Sequence, residues 1–169
     1  MPLMERVYEL ERARQVSIIP FFYTAQFLTG VGPAASVTVN TGIQSDSDFI
    51  CRYLNLTVYN SPSVIILALL APLTITLFDN SSGRTLMDNA TAIQNVTGGA
   101  MGTVGGSGGN GPFIFPEPWL IRAGGTVQTT LTNLCPLTPT PIGYPRIDIT
   151  LCGMKVFKFG SSSPAGSLI

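Results

Sequence analysis

Arg146-Ile147-Asp148-Ile149-Thr150-Leu151-Cys152-Gly153-Met154-Lys155-Val156-Phe157 opens as a regular strand and then breaks its own rhythm. Ile147, Ile149 and Leu151 alternate with Arg146, Asp148 and Thr150. That period of two belongs to a half-buried antiparallel strand. Gly153 then interrupts, and the apolar phase blurs across Met154, Val156, Phe157 and Phe159. A bulge near Gly153 is the expected cause, because an extra residue changes which side chains face inward.

The same alternation recurs upstream. Val127, Thr129 and Leu131 alternate with Gln128, Thr130 and Thr132. Leu73, Ile75 and Leu77 alternate with Thr74 and Thr76, and Ala35, Val37 and Val39 with Ser36, Thr38 and Asn40. Ile50, Leu54, Leu56 and Val58 are expected on one face of a long strand, with Arg52 interrupting it. Phe21-Phe22-Tyr23-Thr24-Ala25-Gln26-Phe27-Leu28 is an aromatic-rich run bounded by Pro20 and Gly30. Turn signals separate the runs, at Thr29 to Pro33, Ser61-Pro62-Ser63, Asp79 to Gly83 and Ala123-Gly124-Gly125. Six to eight such strands predict an all-β fold: an antiparallel β-sandwich or jelly roll with a short N-terminal helix or arm. The expected divisions are an arm over 1–17, the β-sandwich over 18–160 and a tail over 161–169.

The helix is expected over residues 3 to 14. Leu3, Val7 and Leu10 share a face at spacings of four and three. Glu9–Arg12 and Glu11–Arg14 can pair on the opposite face. About twelve residues is marginal for a free helix, so it must dock, either on its own domain or on a neighbour. Two stretches carry no strand pattern: the glycine-rich 97–111 and the serine- and glycine-rich tail.

Charge is scarce. Only 11% of residues are charged, nine basic against nine acidic, while 45% are hydrophobic. A soluble domain carries about a quarter charged residues, so a surface this poor in charge is expected to be covered in an assembly. No Lys/Arg run exists to track phosphates, and no nucleic-acid partner is expected. The N-terminal MPLMERVYELERARQ lacks the apolar core of a secretory signal, and Val64 to Ala71 is too short to span a bilayer. No membrane partner is expected, and synthesis in a reducing cytoplasm is. Cys51, Cys135 and Cys152 show no CxxC spacing, so they read as reduced, largely buried thiols.

Chemistry has few candidates. The chain has no histidine. This removes the Ser-His-Asp triad, the Cys-His pair and histidine metal ligands. Asp46-Ser47-Asp48 is the one close acidic pair, and it is expected to be a solvated turn. The glycine-rich loop lacks the Gly-Lys-Ser/Thr ending of a phosphate cradle. No catalytic residue, cofactor, metal or small-molecule substrate is expected. Phe113-Ile114-Phe115-Pro116-Glu117-Pro118-Trp119-Leu120-Ile121 is the densest aromatic segment, and its prolines predict an edge strand or bend. Phe115 and Trp119 are expected in the core, with a subunit contact as the competing reading.

Three stretches together carry a family likeness. They are Leu73 to Asn89 with its Ser-Gly-Arg-x-Leu, Pro112 to Asn133 with its Gly-Gly-Thr turn and Thr-Leu-Thr-Asn, and Arg146 to Phe157, which ends Gly-x-Lys-x-Phe. In that order, from Pro20 to Phe159, the chain resembles small virion structural proteins of tailed bacteriophages. The glycine-rich 97–111 and the Val64–Leu70 run depart from that pattern. The resemblance implies a non-enzymatic virion protein, made in the bacterial host cytoplasm and carried in the virion. It implies a capsid-decorating or cement role through contacts with itself and with the major capsid protein or other virion proteins. A trimer would suit such a role. Collar, tail or fibre attachment is the alternative within this class. Outside it stands a glycan-binding jelly-roll module using Tyr144 and Trp119 as exposed rings. Leu3, Val7, Leu10, Phe113 and Trp119 are the expected assembly contacts.

Overall fold

The computed structural model describes residues 2–28, 31–61, 64–66, 72–87, 89–92, 112–135, 144–161 and 163–165. The glycine-rich stretch 97–111 lies outside them, as do 67–70 of the apolar run and 166–169 of the tail.

Among the described residues one helix, α1 (Leu3–Arg12), precedes ten strands. These are β1 (Val16–Phe27), β2 (Ser36–Gly42), β3 (Asp48–Ser61), β4 (Val64–Ile66), β5 (Leu73–Asp79), β6 (Arg84–Thr85), β7 (Thr91–Ala92), β8 (Phe113–Ile121), β9 (Thr126–Asn133) and β10 (Arg146–Lys158). The first sheet runs β1-β10-β3, with β8 and β4 both on the far edge of β3. The second runs β2-β9-β5, with β6 and β7 on the far edge of β5. Every pairing is antiparallel.

The pairs are nested. β1 pairs with β10, β2 with β9, β3 with β8 and β5 with β6. The chain is therefore one long antiparallel ribbon rolled so that alternate ribbon segments fall in opposite sheets. This is jelly-roll topology, the β-sandwich that the strand pattern predicts.

The alternating residues do what their period requires. Tyr23, Ala25 and Phe27 of β1, Leu73, Ile75 and Leu77 of β5, Val127 and Leu131 of β9 and Ile147, Ile149 and Leu151 of β10 fill the space between the sheets. Fully burying one such side chain stabilises by about 1.5–3 kcal/mol, so this cluster contributes most to holding the sheets together.

The predicted bulge is present, and its extra residue is Arg52. Cys152 pairs with Tyr53 but Gly153 pairs with Cys51, so Arg52 has no partner on β10. The bulge flips the phase of β3. Before it, Phe49 and Cys51 face the main core; after it, Leu54, Leu56 and Val58 do. Ile50 therefore does not share a face with Leu54, Leu56 and Val58 as the sequence suggested; it lies in a second cluster on the other side of the sheet. Gly153 is required here by close approach. A Cβ at this position would lie 1.9 Å from the Ile50 carbonyl oxygen.

The second cluster is where the helix docks. Val7 is fully buried against Val16, Ile50, Met154 and Val156, with Leu3, Met4 and Leu10 packed around it. Glu5 in the first turn and Arg12 in the last complement the helix dipole. The helix ends where Arg14 takes a left-handed φ of 56°, and the Gln15 amide returns to the Leu10 carbonyl at 2.8 Å. The described part of the tail reaches the same cluster: the Ala165 amide donates to the Val156 carbonyl, and Ala165 is buried.

One end of the sandwich is tightly cross-tied. The β2–β3, β5–β6 and β8–β9 turns meet there. Ile43 N–H donates to Gly125 O at 2.8 Å, Asn80 N–H to Thr126 O at 2.9 Å and Gly124 N–H to Gln44 O at 3.3 Å. Gly124 adopts a φ of +73°, a conformation that favours glycine.

Candidate functional site

The outer face of the first sheet is banded. Nearest the N-terminus of β1, Met154 lies opposite Ile50 and Ile50 opposite Leu120, and this band packs in the helix-side cluster. The next band is Phe22 opposite Cys152, Cys152 opposite Tyr53, and Tyr53 opposite Ile114. It crosses four strands, and nothing among the described residues covers it. Phe22 is 66% exposed, Tyr53 40% and Ile114 71%. Beyond it the face turns polar. Thr24, Thr150 and Asn55 form one row, with the two threonine hydroxyls 3.2 Å apart. Gln26, Asp148 and Thr57 form another, and Arg146 closes it. Its guanidinium donates to both Asp148 oxygens, at 3.0 and 2.6 Å, and lies 5.0 Å from the Tyr59 ring centre.

The bulge brings Tyr53 into this band. A strand without it would carry Tyr53 inward in phase with Phe49 and Cys51. The extra residue turns Tyr53 outward, in register with Phe22 and Ile114. The break in β8 does the rest: between the pairs Cys51–Trp119 and Tyr53–Ile114, β8 spends four residues, Phe115 to Pro118, against Arg52 alone. Pro116 and Pro118 cannot donate to a ladder, so the strand leaves β3 there and rejoins it at Ile114. The expected edge strand and bend are both present.

The residues singled out from sequence are placed as follows. Val7 is buried within the chain, and Leu3 and Leu10 are half-buried beside it, so the helix packs in cis. Trp119 is 9% exposed and belongs to the main core, with Phe115 at 6.3 Å edge-on. Phe113 is half-buried against that core, 5.3 Å from Phe115. Tyr144 is 3% exposed and joins the core through a bridge to Val31. The two rings considered for sugar stacking, Tyr144 and Trp119, are therefore turned inward.

The acidic pair is divided between different partners rather than solvated as a unit. Asp48 is buried; its carboxylate accepts from Ala123 N–H at 3.1 Å and faces Arg122 at 3.8 Å. Asp46 pairs with Lys155 at 3.2 Å and accepts from the Ser47 hydroxyl. Burial alone would raise the Asp46 carboxyl, but the Ser47 hydroxyl and the Lys155 ammonium outweigh it and hold it below the usual carboxylate range. Lys155 is itself buried, donates to Gln44 and lies 4.4 Å from the Phe21 ring centre.

Asp79 organises the tied end. It is buried and accepts from the amides of Ser81 and Ser82 and from both hydroxyls, at 2.9, 3.4, 2.5 and 2.6 Å. Burial pushes its carboxyl up, and these four donors more than reverse that, leaving it below its ordinary value. All three thiols are free, with Cys51 and Cys135 buried. Burial pushes the Cys51 thiol far up, with Cys152 adding to it, so it behaves as an inert apolar group.

Sequence reading missed the exposed band. Part of it carried a signal. Three consecutive aromatics, Phe21-Phe22-Tyr23, cannot all face inward from a strand, and Ile114 stands between two phenylalanines in the same way. Tyr53 carried none, because its direction depends on the bulge. No protein-family model matches the chain, and no curated protein matches it in sequence.

Proposed function

We propose that the chain is a non-enzymatic structural protein of a tailed-bacteriophage virion, decorating or cementing the capsid through contacts with copies of itself and with the capsid. The observation that carries this reading is the exposed band Phe22–Cys152–Tyr53–Ile114, in register across four strands of the first sheet. Covering its three large side chains is worth roughly 2 kcal/mol each, enough to anchor an interface when repeated around a symmetric particle. Two further features support it. The chain is poor in charge, so little desolvation of ions opposes association. The jelly roll is also an architecture that viral capsid proteins use, which is support by analogy of fold.

The test is direct. Particles of the phage encoding the chain are purified on a density gradient, digested and analysed by mass spectrometry, with gold-labelled antibody locating the chain by electron microscopy. Stoichiometric chain with label over the head is the expected result. Label confined to the head–tail junction would move the role to the collar. Particles without the chain would end the reading.

A further inference from the structure

The outer face of the second sheet has a different chemistry. Its outward positions are Ser36, Thr38 and Asn40 on β2, Thr126, Gln128, Thr130 and Thr132 on β9, and Thr74, Thr76 and Phe78 on β5. None is charged. Register sets them in rows: Ser36–Thr132–Thr74, Thr38–Thr130–Thr76 and Asn40–Gln128–Phe78. The hydroxyls of Ser36 and Thr132 lie 2.7 Å apart and those of Thr38 and Thr130 2.8 Å apart.

One part of this face is hollow. Past β6 the chain runs by Met87, Asn89 and Ala90. With Thr76, Phe78, Thr85, Gln128 and Thr130 these residues line an open cavity of about 520 Å3. Phe78 is half-buried and is the one ring in that lining. The side chains of Thr76, Thr85, Asn89 and Gln128 have no hydrogen-bond partner among the described residues, so two amides and two hydroxyls are available around one aromatic surface.

We propose that this cavity binds a neutral, hydroxyl-rich ligand of the carbohydrate class. Phe78 takes the apolar face of a sugar ring, while Gln128, Asn89, Thr76 and Thr85 take its hydroxyls. The lining selects this class by exclusion on both sides. An anionic or cationic ligand would lose hydration against a lining that, among the described residues, holds no charge to replace it. A purely apolar ligand would strand four polar side chains, each at a cost of lost hydrogen bonds to water. A sugar presents an apolar ring face and a rim of neutral donors and acceptors, so it satisfies both. The Thr38–Thr130–Thr76 row leads out of the cavity across three strands and offers hydroxyls to a second unit of an oligosaccharide. The cavity lies on the sheet opposite the apolar band, so sugar binding there does not depend on a role in the virion.

The test is an NMR titration of the purified, 15N-labelled full chain. The probes are neutral oligosaccharides of glucose, galactose, mannose and N-acetylglucosamine, beside a sulfated oligosaccharide. At least one neutral probe is expected to give saturable shifts at the amides of Thr76, Phe78 and Gln128. Gln128→Ala is expected to keep the parent's Tm and to weaken that binding about tenfold, the loss of roughly one net hydrogen bond. Phe78→Ala is expected to abolish it, with Gln128→Ala remaining decisive if Phe78→Ala loosens the sheet. The proposal is overturned if no neutral probe gives saturable shifts there, if the sulfated probe binds as tightly, or if Gln128→Ala binds as well as the parent.

Discussion

The two outer faces of this sandwich are built from the same strand geometry and are opposites in chemistry. On the first sheet, a bulge shifts the phase of β3 and a proline break shifts the register of β8, and Tyr53 arrives outside between Phe22 and Ile114. A helix covers one band of them, and Phe22, Tyr53 and Ile114 stay exposed in the next. On the second sheet, β2 and β9 pair without any register shift, and threonine, serine and amide side chains alternate outward as their period demands. Irregularity added Tyr53 to the apolar surface of one face; regularity left the other neutral and polar. The comparison teaches that one extra residue, Arg52, is enough to turn Tyr53 outward and join the apolar residues that alternation already exposes.

The largest effect should come from removing that break. Gly153→Ala places a Cβ against the Ile50 carbonyl. It should destabilise the fold by about 3 kcal/mol or more, read by chemical denaturation. A loss below about 1 kcal/mol would mean the bulge yields easily and does not fix the exposed band. Val7→Asp comes next. A carboxylate cannot stay in the helix-side cluster, so the helix should undock with a loss of about 2–3 kcal/mol. Trypsin should then cut at Arg6 and Arg12 while the sandwich stays folded. Unfolding of the whole domain instead would make the covered band part of one cooperative core.

Asp79→Ala tests the tied end shared by both sheets. Removing four accepted hydrogen bonds should cost about 2 kcal/mol. Its pH signature has a fixed sign. The folded carboxyl lies below its ordinary value, so its contribution is full above the unfolded range near pH 4 and is lost as pH falls through the folded value. Acid melts of the variant should therefore show a shallower loss below about pH 4 than the parent, with Asp46 supplying part of what remains. The smallest effect belongs to the regular face. Thr130→Val removes one exposed cross-strand hydroxyl contact with Thr38, and stability should stay within about 0.5 kcal/mol.

Legibility in the sequence follows the same division. The regular strands could be read from their alternation, and so could the sandwich, the helix face of Leu3, Val7 and Leu10, and a bulge beside Gly153. The direction of Ile50 could not, because the bulge adds its residue at Arg52 on the neighbouring strand, a hundred positions away in the chain. Tyr53 was hidden for the same reason. Trp119, expected in the core, lies there beside Phe115, whereas Tyr144 stood as an exposed-ring candidate because aromaticity alone does not say which face a residue takes; its burial beside Val31 decided it. The cavity beside Phe78 was invisible, since it depends on where Met87, Asn89 and Ala90 lie against β5 and β9.

Under the proposed virion role the apolar band, and not the threonine face, is buried in the assembled particle. Hydroxyl-radical footprinting with mass spectrometry, on intact particles and on the purified chain, reads both faces at once. Phe22, Tyr53, Cys152 and Ile114 report the first sheet; Phe78 and Met87 report the second. The account predicts several-fold lower oxidation of the first group in particles and little change in the second. Equal oxidation of Phe22 and Tyr53 in the two samples would contradict it.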